Sequence, residues 1–335
     1  EIPLRLVGSE MCIRDSNWTD NPYNRYMRSY NNQVWNPAAS LDRPAGHSRN
    51  YGVLLNPYLQ IKPIEGLVLR TQFGVNASVV RTDSYAPIFS LDALEQSTTS
   101  SVTRRMYENV DWNWTNTANY NISIAEKHNI NAMVGFTAER FGYWNVEARR
   151  EGIPNDEETL REVSAGTGEQ YGYGDTSYYT LVSWLGRVMY NFNQRYYITA
   201  SVRVDGSSRF GDGNKYATFP AVSGAWRISE EPFMKDVDII DNLKLRAGWG
   251  KVGNQAIPNS AYQSLVSSNN TVIGGIRVPG TVMNSIGNPD LKWETVEDYN
   301  IGVDLSMLNS RLQFTADFYK KKSHDMLYQK QNYMW

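Results

Sequence analysis

The side chains of this 335-residue sequence that could do chemistry are its carboxylates, its glycine-punctuated turns and its few soft metal ligands. Asp205, Asp212 and the run Asp156, Glu157, Glu158 are oxygen donors of the kind calcium takes. The spacing of an EF-hand loop is absent, however, and a run of like charge reads as a solvated surface. Gly166, Gly168 and Gly172 approach a dinucleotide-binding fingerprint, but the third glycine is misplaced and no strand-to-helix context surrounds them. GSSRFG, at 206–211, is no nucleophile elbow, because no glycine stands two residues after either serine. No pair of carboxylates is singled out for glycoside hydrolysis. His47, His128 and His324 are far apart and Cys12 is the only cysteine, which excludes a zinc cluster and an internal disulfide. The expectation is a chain that is not an enzyme and needs no cofactor or metal.

The elements that carry these residues are more informative. Tyr196, Ile198, Ala200, Val202 and Val204 alternate with Tyr197, Thr199, Ser201, Arg203 and Asp205, a period of two that makes a strand with one apolar and one polar face. Val182, Trp184, Val188 and Tyr190 precede it, and the reversal at Asn191–Arg195 makes the pair an antiparallel hairpin. The same pattern recurs at Tyr299–Leu305 with Leu312–Phe318, at Ile130–Ala138 and at Leu67–Val75. About ten strands result, at 51–61, 66–80, 104–120, 129–141, 178–190, 195–205, 216–228, 242–252, 294–306 and 311–322. Asn155–Val163 reads as a short capped loop helix, with Asn155 and Glu158 at capping-box spacing.

The connections alternate in length. Turns near 62–66, 121–129, 191–195 and 307–311 are brief, whereas 81–103, 142–177 and 253–293 are long and polar. A β-sandwich has no reason to gather its long loops at one end; an outer-membrane barrel has short periplasmic turns and long extracellular loops. A strand of about 13 residues tilted by about 45° spans roughly 30 Å, which suits such a membrane. The fold class expected is therefore all-β, an antiparallel transmembrane β-barrel segment. Its polar faces carry Arg70, Gln72, Asn131, Glu139, Arg203, Asp205, Gln313, Thr315 and Asp317, suited to a watery lumen. The 22 Tyr, 10 Trp and 10 Phe crowd the strand ends. Tyr58, Tyr120, Tyr190, Phe192 and Tyr196 at the short turns, and Phe141, Tyr143, Tyr178, Tyr179 and Trp249 at the long loops, are expected to form aromatic girdles. The mean hydropathy is −0.52, and no uninterrupted apolar run reaches the roughly 18 residues a membrane-spanning helix needs, which excludes transmembrane helices but not strands; 33 basic against 35 acidic residues exclude a polybasic nucleic-acid binder.

Four segments carry a resemblance. RVDGSSRFGDGNKYATFPAVSGAWRISEEPFM (203–234), NLKLRAGWGKVGNQAI (242–257), NPDLKWETVEDYNIGVDL (288–305) and FTADFYKKKSHDML (314–327) resemble, in order and spacing, the barrel of the SusC/RagA family of TonB-dependent outer-membrane transporters. The motif residues are Asp205, Gly206, Ser207, Ser208, Arg209, Phe210, Gly211, Pro220, Trp226, Asn254, Asn288, Pro289, Leu291, Trp293 and Glu294. The resemblance implies location in the bacterial outer membrane among its lipids, import of oligosaccharide or peptide substrates, and a SusD-like surface lipoprotein as lid. It also implies a TonB–ExbB–ExbD complex acting through an N-terminal plug region that this sequence lacks. Ten strands of about 22 cannot close a barrel, so the chain is expected to be a partial barrel domain, 17–335, without plug or C-terminal strands. Residues 1–16, EIPLRLVGSEMCIRDS, resemble adapter read-through and are expected to be a non-native leader. If sugar is bound, Tyr143, Trp144, Tyr171 and Tyr173 in the long 142–177 segment are the contacts expected, since sugar C–H faces stack on rings. A siderophore or vitamin receptor, and a soluble carbohydrate-binding or structural β protein, are the alternatives.

Overall fold

The computed structural model describes residues 23, 37–43, 46–91, 95–155, 157–234 and 236–328; residues 1–16, Cys12 and Asp156 lie outside them. A short helix, α1 (Pro37–Asp42), precedes fifteen strands. They are β1 (His47–Leu55), β2 (Tyr58–Ile61), β3 (Leu67–Ala86), β4 (Phe89–Ser90), β5 (Gln96–Ser97), β6 (Ser101–Ile124), β7 (His128–Glu151) and β8 (Gln170–Phe192). After them come β9 (Tyr196–Ser207), β10 (Tyr216–Arg227), β11 (Ile240–Asn254), β12 (Leu265–Ile273), β13 (Ile276–Ser285), β14 (Glu294–Met307) and β15 (Leu312–His324). One sheet runs β1-β3-β6-β7-β8-β9-β10-β11-β14-β15, with β2 alongside β3. Nearest neighbours in sequence are neighbours in the sheet, the order of an up-and-down meander. Among the described residues no helix is long and apolar enough to cross a membrane.

Nine of the ten strands expected from alternation are present as single strands; the one expected at 51–61 is broken at Asn56–Pro57, where proline has no N–H to give the ladder, into β1 and β2, both paired with β3. β6 and β7 have 24 residues each and β8 has 23, not about 13. The extra length lies in segments expected to be loop. In the added part of β7, Trp144, Val146 and Ala148 still alternate with Asn145, Glu147 and Arg149, whereas the added part of β8 sets Gln170, Gly172, Gly174 and Thr176 against Tyr171, Tyr173 and Asp175 and carries no apolar stripe. The 253–293 segment likewise holds a separate hairpin, β12–β13. Asn155–Val163 is no α-helix: Asn155 Oδ1 accepts the Glu157 N–H at 2.9 Å, and 3₁₀ turns follow at Glu158–Leu160 and Val163–Ala165. The short turns are tight, with Ala125 and Glu126, then Asn193 and Gln194, at positive φ, the left-handed pair that a two-residue hairpin loop requires.

The described chain divides into two compact units, one of 54–75, 111–141 and 178–335, the other of the remainder up to 177. In the first, the burial pattern is the reverse of a water-soluble sheet. On β9 the apolar face is open, with Ile198 52% and Val202 44% exposed, whereas the polar Ser183, Asp205 and Ser207 are buried. Two rows of rings run across the apolar face. Near the short turns His128 stacks on Tyr190, Phe192 on Tyr196, and Tyr196 on Trp226. Farther up, Phe73, Trp112, Trp114, Phe136, Trp184 and Tyr216 form a second row through near-contacts of Phe73 with Trp112, Trp114 with Phe136, Phe136 with Trp184, and Trp184 with Tyr216. Tyr196 and Gly206, which pairs with Tyr216, are separated by about 23 Å of membrane depth at a tilt of about 45°, close to the height of an apolar band.

The girdle expectation needs correction at four residues: Tyr58, Phe141, Tyr179 and Tyr143, the last of them two positions beyond Phe141 on β7 and therefore on the same face. Tyr58 pairs with Gln72 and lies under the Arg70 guanidinium at 4.3 Å, on the polar face. Phe141 stacks on Tyr179 at 4.9 Å, and Arg209 covers Tyr179 at 3.8 Å, again on the polar face. Ring count at strand ends does not report which face a ring takes; register does.

Candidate functional site

The polar face is built by strict alternation on long strands, which brings charged side chains within reach of one another along a strand, diagonally between neighbouring strands, or across two strands. Arg203 Nε donates to Asp205 Oδ1 at 2.6 Å and its Nη2 to Ser183 Oγ at 3.0 Å. Arg246 donates to both oxygens of Asp304, at 2.8 and 2.9 Å, and reaches Asp317 at 3.1 Å; this planar fork fixes orientation better than a lysine would. Asn131 Nδ2 donates to Asn119 Oδ1 at 2.8 Å, and Arg70 to Gln72 at 2.8 Å. Gln313 and Thr315 pair with Ser306 and Asp304 on the same face. Paired charges and amides spread over one face, with no convergence of nucleophile, base and oxyanion donors, make a surface that water and polar solutes can wet.

In the second unit, β7 and β8 bring tyrosines and acids together. The Tyr143 ring stacks on Tyr107 at 5.4 Å and its hydroxyl donates to Asp175 Oδ2 at 2.9 Å. Tyr171 and Tyr173 occupy alternate positions on β8, leading to Asp175, and are 48% and 60% exposed. The Tyr171 hydroxyl donates to Glu169, and the Arg149 guanidinium lies 5.4 Å from its ring. Three of the four aromatic residues expected to contact ligand therefore share a face. Trp144, next to Tyr143 in a strand, points to the opposite one. Tyr107, Arg149 and Asp175 escaped the sequence reading. The alternation Glu169, Tyr171, Tyr173, Asp175 was the signal that could have found them.

On the other unit the motif residues assemble into one knot at the long-loop end of β9, β10, β11 and β14. Phe210, fully buried, packs with Phe219 and Trp293, with Leu181, Ala217, Ile257 and Leu291 around them. Ser208 exchanges hydrogen bonds with the Thr180 backbone, accepting at Oγ (2.9 Å) and donating from N (3.1 Å). Arg209 donates to Asn259 Oδ1 at 2.9 Å and to the Gln255 carbonyl at 3.1 Å. The Lys215 carbonyl accepts from Trp293 Nε1 at 2.9 Å and from the Ser207 N–H at 3.0 Å. Asn254 Nδ2 donates to Glu294 Oε2 at 3.1 Å, and Asn288 Oδ1 accepts from the Asp290 N–H at 3.0 Å. A Cβ at Gly206 would collide with the Tyr216 ring, and at Gly211 it would stand 3.1 Å from the Pro289 carbonyl oxygen. Lys215, donating to Asp212 at 2.6 Å, holds that carboxyl below its ordinary range. Pro220 pairs with Val202 within β10. Trp226, at the other end of that strand, donates to Glu231 Oε1 at 3.0 Å. Apart from these two strand positions, the motif holds the long-loop end together.

Comparison with known proteins agrees with this architecture. The family model described as TonB dependent receptor-like, beta-barrel, matches residues 13–334. The chain is 30% identical over 309 residues to TonB-dependent receptor P26 of Formosa agariphila, covering 92% of this chain and 31% of that protein. It is 38% identical over 199 residues to TonB-dependent receptor SusC of Bacteroides thetaiotaomicron, 58% of this chain and 19% of that protein. Among solved structures, that of the RagAB peptide transporter superposes with a TM-score of 0.80 at 30% identity, over 93% of this chain and 33% of that one. The chain thus spans about a third of the length of the first of these relatives.

Proposed function

Because this chain belongs to the TonB-dependent receptor-like β-barrel family, a family of the outer membrane, we propose that it is barrel wall of a TonB-dependent importer of oligosaccharides or peptides. The observation that carries this reading is the inverted sheet: an open apolar face banded by two rings of aromatics, backed by a polar face of paired charges. The apolar face meets lipid and the polar face lines the solute path. In this reading residues 17–335 form one barrel domain, a SusD-like lipoprotein closes over the long-loop side, and a TonB–ExbB–ExbD complex supplies the energy. The motif knot keeps that end rigid. Tyr143, Tyr171 and Tyr173 offer ring faces to ligand, with Asp175 as acceptor. Trp144 contacts ligand or lid only from the opposite face.

Deletion of the gene, followed by uptake of labelled maltooligosaccharides and peptides with and without a functional TonB, tests the proposal. TonB-dependent loss of one class supports it. Unchanged uptake of both, with loss of a ferric siderophore or of cobalamin instead, replaces it with the siderophore or vitamin reading.

A further inference from the structure

Most of β8 has a partner strand on either side, but its long-loop end does not. Toward β7 it is paired to its start, where the Glu151 N–H donates to the Glu169 carbonyl at 3.0 Å. Toward β9 the ladder stops at Leu181, opposite Ser207; the Ser208 N–H still reaches the Thr180 carbonyl at 3.1 Å, and the chain then leaves for the Phe210 knot. Among the described residues nothing pairs with the backbone of 170–175 on this side. Peptide groups alternate in direction along a strand, so those of Gln170, Gly172 and Gly174 point the same way as those of Thr180, to the open edge. Native edges are guarded by lysine, proline or a bulge; QYGYGD, at 170–175, has neither lysine nor proline and keeps its alternation unbroken. Two of the three edge positions are instead glycine, and a Cβ at Gly172 would meet nothing within 4 Å, the bare edge that a second backbone needs to come alongside.

The side chains beside this edge select what comes alongside. Glu169, Tyr171, Tyr173 and Asp175 share one face over about 20 Å, with both rings exposed. On the same face of β6 and β7 stand Arg105, Glu147, Arg149 and Glu151. Arg105 Nε donates to Glu147 Oε2 at 2.7 Å, and Arg149 Nη2 donates to Glu151 Oε1 at 2.9 Å. These pairs engage both guanidinium groups. Glu169 and Asp175 accept only from the hydroxyls of Tyr171 and Tyr143, and among the described residues neither has an ion pair, so four carboxylates face two cations. Arg149 shows how the face takes a positive charge: its guanidinium lies 5.4 Å from the Tyr171 ring, a contact that a ligand ammonium or guanidinium can also make.

We propose that an extended peptide with basic side chains adds to the edge of β8 at 170–175 as a further strand. Its backbone pairs with Gln170, Gly172 and Gly174, and its lysine or arginine side chains meet the tyrosine rings between Glu169 and Asp175. Main-chain pairing supplies affinity without regard to sequence, and the side chains at every second residue supply the preference for positive charge. The ligand is a peptide rather than an oligosaccharide because a polypeptide presents N–H and C=O groups at the spacing of the open edge. This names the substrate class of the tyrosine site and rests on the importer reading of that site.

The test uses the complete outer-membrane protein containing this chain, purified in detergent, with Kd measured by isothermal titration calorimetry. The probes are an octapeptide of alternating lysine and valine, its glutamate–valine counterpart, two forms of the lysine peptide N-methylated at every lysine or at every valine, and maltoheptaose. The lysine peptide is expected to bind at least about tenfold tighter than the glutamate peptide and maltoheptaose. One of the two N-methylated forms, the one whose methyl groups face β8, is expected to lose about tenfold, since only one set of N–H groups faces a neighbouring strand. E169Q/D175N removes the preference for lysine over glutamate. Gly172→Pro, whose lost N–H breaks no hydrogen bond of the fold, weakens the lysine peptide about tenfold. Equal binding of the lysine and glutamate peptides, or full binding of both N-methylated forms, overturns the proposal, and tighter binding of maltoheptaose overturns the choice of a peptide. If Gly172→Pro fails to fold, the two N-methylated forms test the backbone pairing on the parent protein. TonB-dependent peptide uptake without these differences in binding overturns the edge site and leaves the importer reading standing; the differences without uptake support the site and remove the importer reading.

Discussion

At the scale of single residues, two side chains hold the ends of the strands. Phe210 is fully buried between Phe219 and Trp293 although it sits in the connection between β9 and β10. Phe210→Ala removes that ring and leaves a cavity that the surrounding hydrogen bonds keep open. A destabilisation of about 3–5 kcal/mol is expected in denaturant unfolding of detergent-folded protein; a change below about 1 kcal/mol would mean the knot collapses around the gap. At the short-turn end Glu231 accepts from Tyr196 Oη at 2.5 Å and from Trp226 Nε1 at 3.0 Å, and these bonds hold its carboxyl below the ordinary value of 4.5. A depressed carboxyl stabilises the fold fully above its unfolded pKa, and that contribution is lost as pH falls through the lower, folded value. Thermal stability of Glu231→Gln is therefore expected to be below that of the parent at neutral pH, with the gap narrowing as both are acidified below pH 4.5. A gap independent of pH would assign the effect to packing. The motif sequence marked Phe210 and Trp293, but not that they touch: 83 positions separate them in the chain, and only the folded register brings them together.

At the scale of elements, alternation made most of the sheet legible. A strand such as β9 meets lipid on one side and water on the other, so its pattern is nearly unbroken. The hairpin β12–β13 was not legible for the opposite reason. Both its faces are exposed, Val266, Val272, Ile273 and Ile276 included, and among the described residues it pairs with no other strand, so no solvent contrast imprints a period. Gly274 and Gly275, both at positive φ, were its one local signal. The turn at Ala125–Glu126 lacks such a signal, holding two non-glycine residues at φ 50° and 58°, a conformation that costs roughly 1 kcal/mol or more for each L residue. Replacing the pair by Asn–Gly is expected to raise unfolding stability by about 1 kcal/mol. No gain would show that Lys127, whose carbonyl accepts from the Asn193 N–H at 2.7 Å, sets this turn through its neighbour rather than through its own dihedrals.

At the scale of the molecule, composition misleads and distribution informs. A mean hydropathy of −0.52 describes a chain that averages polar because half of each strand faces a polar surface. Which half faces which solvent is decided by where apolar side chains are exposed, and that makes the orientation testable by a pair of substitutions differing only in face. Val202 and Ile301 stand mid-strand on the apolar face, 44% and 64% exposed; Gln313 stands on the polar face of β15, opposite Ser306. In water an exposed valine or isoleucine exchanged for arginine changes stability by less than about 0.5 kcal/mol. In a bilayer the same exchange near the midplane costs about 2–4 kcal/mol. Val202→Arg and Ile301→Arg are therefore expected to fall in that larger range when unfolding is measured in lipid vesicles, whereas Gln313→Arg stays within about 0.5 kcal/mol. The contrast should vanish for any of the three in which the side chain faces water. Equal, small effects at all three sites would mean that the apolar face does not contact lipid, and the reading of the sheet as transmembrane wall would fail with it.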